Sequence, residues 1–354
     1  DGAVVLVSNH RPLDPVDGYS AATVITAIYT SNKKATAIRL PNGSSSVRGI
    51  TVSPDGKYVY AVHILARYQM PTTQLERGWM NTNALTVIDA AAKKIVNTVL
   101  LDDVDLGAAN PWDVACTADG SQICVTHAGT HEVSVIDAPA LLEKLLAMPE
   151  EVSPEEQQKA YSGSYSSLTV DDVPNDLAFL VGLRHRVKLE GNGARGLAVA
   201  GNKAYCAMYF TDNLSIVDLA AEEPKVVADV ALGPKPELTA ERRGEMYFHD
   251  ADLCFQNWQS CSSCHPDARV DALNWDLLND GMGNPKNVRS MLLAHKTPPS
   301  MISGVRSTAE VAVRSGITHI QFAVRPEEDA VAIDEYLKAL EPVPSPHLVN
   351  GQLS

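Results

Sequence analysis

This sequence lacks an excess of positive charge, any long apolar run, and most of the short signatures of catalysis. Basic residues number 29 against 43 acidic ones in a chain of 354, a formal charge of −14. That balance excludes the cationic surface a phosphate backbone requires, so no nucleic-acid partner is expected; basic or neutral partners are favoured. No apolar stretch reaches the roughly 18 residues needed to cross a bilayer, so no membrane span is expected. A basic start followed by a short apolar stretch is missing too, and the first residue is Asp1, as in a processed or trimmed product. There is no P-loop and no His-Glu-x-x-His helix, and GYSAA lacks the second glycine of a nucleophile elbow. What remains is 45% hydrophobic and 20% charged, enough for a well-buried core and suggestive of two domains.

One unit recurs along the first two thirds of the chain. RGITVSPDGKYVYAVH (48 to 63), WDVACTADGSQICVTH (112 to 127) and RGLAVAGNKAYCAMYF (195 to 210) are each an alternating apolar run, a tight glycine turn and a second alternating run. That is the pattern of a β-hairpin. A third strand follows as ALTVIDA, EVSVIDA or NLSIVDL, closed by a looser run such as KKIVNTVLL. Four strands per unit make one propeller blade. DGAVVLVSN, with VITAIYT and KATAIRL behind it, reads as another blade entered at its turn, so four or more blades are expected before residue 233.

SPDGKYVYAV and VSVIDA resemble the units of YVTN-type β-propeller repeat proteins, over residues 1 to 233. The family commonly has about seven blades, which implies a longer parent propeller. Two insertions interrupt the repeat. ILARYQMPTTQLERGWMN (64 to 81) reads as a loop covering a blade edge or forming a binding surface. Residues 139 to 186 carry LLEKLLAM, SPEEQQKAY and NDLAFLVGLRH at helical spacing, which predicts a helical excursion.

After residue 233 strands give way to helices, with Thr239 as an N-cap ahead of Glu241, and Ile333, Tyr336, Leu337 and Leu340 on one helix face. Between the two lies CSSCH, residues 261 to 265. Cys261 and Cys264 are spaced to form thioethers with the vinyl groups of a haem c, and His265 to lie under its iron as proximal ligand. A redox disulfide or half of a zinc site completed by Cys254 and His249 is the alternative. His319, His295 and Met301 are candidates for the other axial position, with His319 favoured.

GEMYFHDADL, CSSCHPDARVDALNW, GNPKNVRSMLL and PPSMISGVR, in that order, resemble a cytochrome c domain of the di-haem cytochrome c peroxidase and methylamine-utilisation (MauG-type) superfamily, over residues 238 to 345. The resemblance implies an α-helical haem domain, so the fold class expected is mainly β with a helical C-terminal part. It also implies a second CxxCH for electron relay. This chain has none, so one haem per chain is expected, or a chain that continues further. The relatives' Gly-(x)-Arg-Asn-x-Pro and Trp-Asp-Gly-Arg stretches are replaced here around Lys286-Asn287 and Ser303-Gly304-Val305-Arg306.

The other cysteines read as core thiols. Cys116 and Cys124, at equal parity in one hairpin, are expected on one face, where a cross-strand disulfide is the alternative; Cys124 and Cys206 occupy equivalent blade positions. His127, His131 and Glu132 in HAGTHE form a minor candidate metal set. Two functions stay open. One is an exported, periplasmic or extracellular haem protein for electron transfer or peroxidase-like chemistry, its propeller docking an unidentified redox partner or small substrate. The other is a haem-free, surface-layer-like binding scaffold.

Overall fold

The computed structural model describes residues 2–14, 20–70, 80–155, 158, 167–235, 237–278, 281–349 and 352–353. Four antiparallel sheets follow one another along the chain. The first pairs β1 (Val4–Ser8), β2 (Val24–Tyr29) and β3 (Ala35–Arg39). The second holds β4 (Ser44–Ser45), β5 (Ile50–Val52), β6 (Tyr58–Ala66), β7 (Asn81–Asp89) and β8 (Lys94–Leu100). In the third, β9 (Pro111–Cys116), β10 (Gln122–His127) and β11 (Glu132–Asp137) are joined, after α1 (Ala138–Leu146), by β12 (Arg184–Lys188). The fourth is β13 (Ala194–Ala200), β14 (Lys203–Met208), β15 (Asn213–Asp218) and β16 (Lys225–Ala231).

Repeated turn chemistry sets these strands. Gly56 and Gly120 take φ of +74° and +73°, a region that favours glycine, and Asp55 and Asp119 each accept a backbone N–H two residues on. Apolar residues of successive sheets then meet face to face. Ile25, Ile38, Val59 and Ile88 fill the space between the first two sheets, and Val62, Val87, Val114 and Ile123 the next. Val133, Cys124, Cys206 and Val217 fill the last. This stacking of antiparallel sheets through their faces is the propeller arrangement. The first strands also adjoin, β5 against β9 and β9 against β13. There the equivalent residues of three repeats stack, with the Arg48 and Arg195 guanidinium groups each 4.3 Å from the Trp112 ring centre.

Three details differ from the sequence reading. Cys116 lies opposite Ile123 and Cys124 opposite Ala115, so the two thiols point to opposite faces and cannot be bridged; both are free. The insertion at 64–81 is strand at both ends, since β6 runs to Ala66 and β7 opens at Asn81, while 71–79 lie outside the described residues. The second insertion forms α1, but 177–183 are turns leading into β12, because the free edge of β11 takes a strand partner there; most of SPEEQQKAY lies outside the described residues.

Beyond the sheets come α2 (Ala240–His249), α3 (Cys261–Cys264), α4 (Ala309–His319) and α5 (Glu327–Ala339), with two short pairings, Asn274–Trp275 against Lys286–Asn287 and Leu348–Val349 against Gln352–Leu353. Thr239 caps α2 by accepting from Arg242 N at 3.2 Å, as its sequence suggests. Long irregular segments separate these helices, so this part is less helical than a compact helical domain. No helix among the described residues is long and apolar enough to cross a membrane.

The α2–α5 crossing depends on Gly244, where a Cβ would lie 1.8 Å from the Ala332 carbonyl oxygen. Gly244→Ala should therefore force the helices apart and destabilise the fold by about 1–3 kcal/mol or more, read as a lower urea midpoint.

Candidate functional site

The CSSC turn is built by reciprocal capping. Ser260 is the N-cap of α3, and the Ser263 hydroxyl accepts from Ser260 N at 3.0 Å. Positions three apart on a helix share a face, so Cys261 and Cys264 turn together one way. Ser262 and Ser263 turn the other way, toward the strands, where both are buried.

A propeller residue meets them. Asn110 Nδ2 donates to Ser260 Oγ at 2.6 Å and Ser262 Oγ at 3.1 Å, and Ser263 Oγ donates to Asn110 Oδ1 at 2.6 Å. Asn110 itself sits at φ +57° and donates its backbone N–H to Asn83 Oδ1 at 3.0 Å. Asn83 donates through N and Nδ2 to the carboxylate of Asp102 at 2.7 and 2.8 Å. Asp102 is fully buried, and burial raises its pKa against the hydrogen bonds it accepts. Close packing matches this network, since a Cβ on Gly107 would lie 2.4 Å from Trp258 Cα.

On their other side the two cysteines line a cavity of about 650 Å³. Its walls include Phe248, Trp275, Val288, Met291, Val313 and Leu337, and Met80 from the strand sheets. His265 lines it as well. Its Nδ1 faces the Arg269 carbonyl oxygen at 3.4 Å, so Nδ1 carries the proton and Nε2 keeps its lone pair. Burial lowers the pKa of His265 to about 4, which leaves the imidazole neutral and able to bind a metal at neutral pH. His319, at the end of α4, and Met301 line the same cavity.

His295 is not among the lining residues. Its Nε2 is 2.9 Å from Asp334 Oδ1, in a pair almost wholly buried, and Arg314 holds the other oxygen of that carboxylate. Ser300 Oγ, Arg306 Nε and Gln321 Nε2, in residues that also line the cavity, are buried without partners among the described residues.

Among the described residues, Cys254 and His249 do not complete a zinc site with Cys261 and Cys264. Among the described residues, metal-type groups converge at His131, Asp250 and Asp252, whose atoms lie within 4.8 Å of one another. There Gly193 N donates to His131 Nδ1 at 2.9 Å, so the proton sits on Nε2, directed at Asp250 Oδ1 3.2 Å away. That nitrogen has no lone pair for a metal, and Lys188 already neutralises Asp252 at 2.8 Å. The set His127, His131 and Glu132 is not brought together either. His127 bonds Ala108 O and Ser134 Oγ at 2.9 and 2.8 Å, and Glu132 pairs with Arg186. His249 is tied to the Glu245 carbonyl at 2.8 Å.

The stacked antiparallel sheets, of three to five strands each, define a propeller-type β protein. No protein-family model matches the chain. Among curated proteins it is similar to hydrazine synthase subunit beta of Kuenenia stuttgartiensis, 24% identical over 218 residues, 58% of this chain and 52% of that protein. Among solved structures it is similar to Kuenenia stuttgartiensis hydrazine synthase, with 23% identity and a TM-score of 0.50 over 62% of this chain and 57% of that one. A functionally unknown protein from Desulfotomaculum acetoxidans gives 12% identity and a TM-score of 0.38, covering 66% and 54%. The chain thus spans about half the length of the curated relative it matches.

Two measurements test the site's construction. Asn110→Gly keeps the left-handed backbone while removing the carboxamide; loss of its bonds to three buried hydroxyls should cost about 2–4 kcal/mol in urea unfolding. Burial also holds His63, His249 and His265 neutral, with pKa values lowered to about 4, about 3 and about 4, and His127 well below its ordinary value. The unfolded chain binds these protons first, so the histidine contribution is complete above about pH 6.5 and falls toward pH 4 by up to about 1.4 kcal/mol per pH unit for each group. Buried Asp271, raised to about 7, acts with the opposite sign over the same range, so urea midpoints should fall on acidification with the slope of the histidines less that of this one carboxyl.

Proposed function

We propose that this chain is an exported c-type haem protein for electron transfer or peroxidase-like redox chemistry. Residues 238–345 form a cytochrome domain of the di-haem peroxidase and MauG type, and the YVTN-like blades of residues 1–233 are its docking platform. The observation that carries this reading is convergence: Cys261, Cys264, His265, His319 and Met301 line one predominantly apolar cavity. Its volume of about 650 Å³ falls in the range of cofactor sites, and unpartnered donors on Ser300, Arg306 and Gln321 suit the carboxylates of a haem. These residues fit the group.

In this reading Cys261 and Cys264 would hold the haem covalently and His265 Nε2 would ligate its iron. A bound haem c supplies an iron that cycles between ferric and ferrous states. The apolar walls limit water beside it and keep the neutral form of His265 favoured. His319 would be the preferred second ligand to that iron, with Met301 as its competitor. His295, already paired with Asp334, is the least suited of the three. The similarity to a subunit of hydrazine synthase supports a redox role within an assembly, with a protein partner on the propeller. Export to the periplasm or cell exterior follows from covalent haem attachment.

The decisive experiment is a pyridine haemochrome spectrum of protein made with haem-attachment machinery. Covalent haem should survive acid extraction, and Cys261→Ala or Cys264→Ala should each leave at most one thioether by mass. His319→Ala should turn a low-spin ferric spectrum high-spin, and Met301→Ala should leave it low-spin. A protein without covalent haem is a binding scaffold instead. With one CxxCH, peroxide turnover by the chain alone should be slow.

A further inference from the structure

The geometry points to Asn81, at the start of β7, as a positioning residue for Cys264 in haem attachment, an inference that rests on the haem reading above. Asn81 is 1% exposed, and its Nδ2 lies 3.0 Å from Gln259 Oε1 and 3.2 Å from Cys264 Sγ.

The direction of this amide is set by its neighbours. The Ile320 carbonyl can only accept, and Gln259 Nε2 lies 3.0 Å from it and 3.7 Å from the Met80 sulfur. Gln259 therefore presents Oε1 to Asn81, and Asn81 must answer with Nδ2, which aims an N–H at the Cys264 sulfur. The consequence falls on the other end of the side chain: Asn81 Oδ1 is buried with no partner among the described residues. An unsatisfied buried oxygen of this kind is destabilising, and native folds seldom keep one without a use. Here the use is the hold on sulfur. Among the described residues no side chain donates to Cys261, one turn earlier, so the two thiols are treated differently.

The step itself needs no outside electron. The S–H of Cys264 adds across a vinyl C=C: a C–S bond forms, the S–H bond breaks, and the hydrogen passes to the other vinyl carbon. It does require the sulfur to face the vinyl group. An N–H···S contact from a rigid strand fixes the Cys264 side chain toward the cavity. It does so from the propeller, so attachment of the second thioether depends on both parts of the chain.

The test uses the full chain coexpressed with c-type haem attachment machinery, comparing the parent with Asn81→Ala and Asn81→Ser. Thioethers are counted by intact mass, the haemochrome band reports any unreacted vinyl, and alkylation maps the free thiol. The parent should carry two thioethers. Asn81→Ala should lose the Cys264 thioether in most molecules while keeping that of Cys261, with the band shifted toward a haem bearing one vinyl. Asn81→Ser, whose hydroxyl can donate, should recover the second thioether at least in part. If Asn81→Ala does not fold, Gln259→Ala decides, since it frees the Asn81 amide to turn and should give the same selective loss. Two thioethers in the variant, or equal loss at both cysteines, would overturn the positioning role alone. A parent without covalent haem would remove the haem reading and this role together.

Discussion

Everything at the CSSC turn depends on one carboxamide, that of Asn110. Its two ends are saturated by hydroxyls of Ser260, Ser262 and Ser263, in a setting with little water, where each bond is strong and direction matters. Because the serines cannot turn away, neither can the short helix that carries them. The cysteines at its ends then face the cavity by helical geometry alone. The anchor reaches further back, through Asn83 to the buried carboxylate of Asp102, so the turn is fastened to the interior of the strand sheets. The apolar packing agrees, since Ile64, Ala66 and Met80 of the second sheet and its connection share a cluster with Leu273 and Trp275 from beyond the sheets.

The blades were legible in the sequence because period-two alternation and turn glycines are local signals. Register was not. Parity along the chain suggested that Cys116 and Cys124 share a face, but the connection between β9 and β10 pairs Cys116 with Ile123, which reverses that face. The helical spacing of residues 175–185 misled for a related reason: the open edge of β11 is a tertiary demand that no local period records. CSSCH could be read because its chemistry lies in residue types at fixed spacing. Asn81, Asn110 and Gln259 could not, since Asn81 and Asn110 meet their partners from more than 140 positions away and asparagine at a strand end is ordinary. The positive φ of Asn110, ahead of Pro111, is the one local oddity there.

Histidine position proved equally dependent on context. His63 and His127 hold equivalent positions in the repeats, one within β6 and the other at the end of β10, and each offers Nε2 to a hydroxyl at 2.8 Å, from Thr86 and Ser134. They are repeat-encoded core residues that use imidazole as a compact neutral cross-link. His131, four residues after His127, turns instead toward Asp250 and joins the sheets to the segment after α2. The spacing that suggested a shared ion therefore separates two roles, one inside a blade and one between parts.

The stack of Arg48, Trp112 and Arg195 bears on how such an array diverges. Each member occupies the same place in its own unit, yet neighbouring units must differ there, cation then ring then cation, for their side chains to attract. A duplicated ancestor with arginine at every copy would have set like charges face to face, and one with tryptophan at every copy would have lost the electrostatic term. Alternation is thus a selection rule written between repeats, not within one. An engineer who averaged the units into a consensus would erase it, and with it both cation–ring contacts of Trp112.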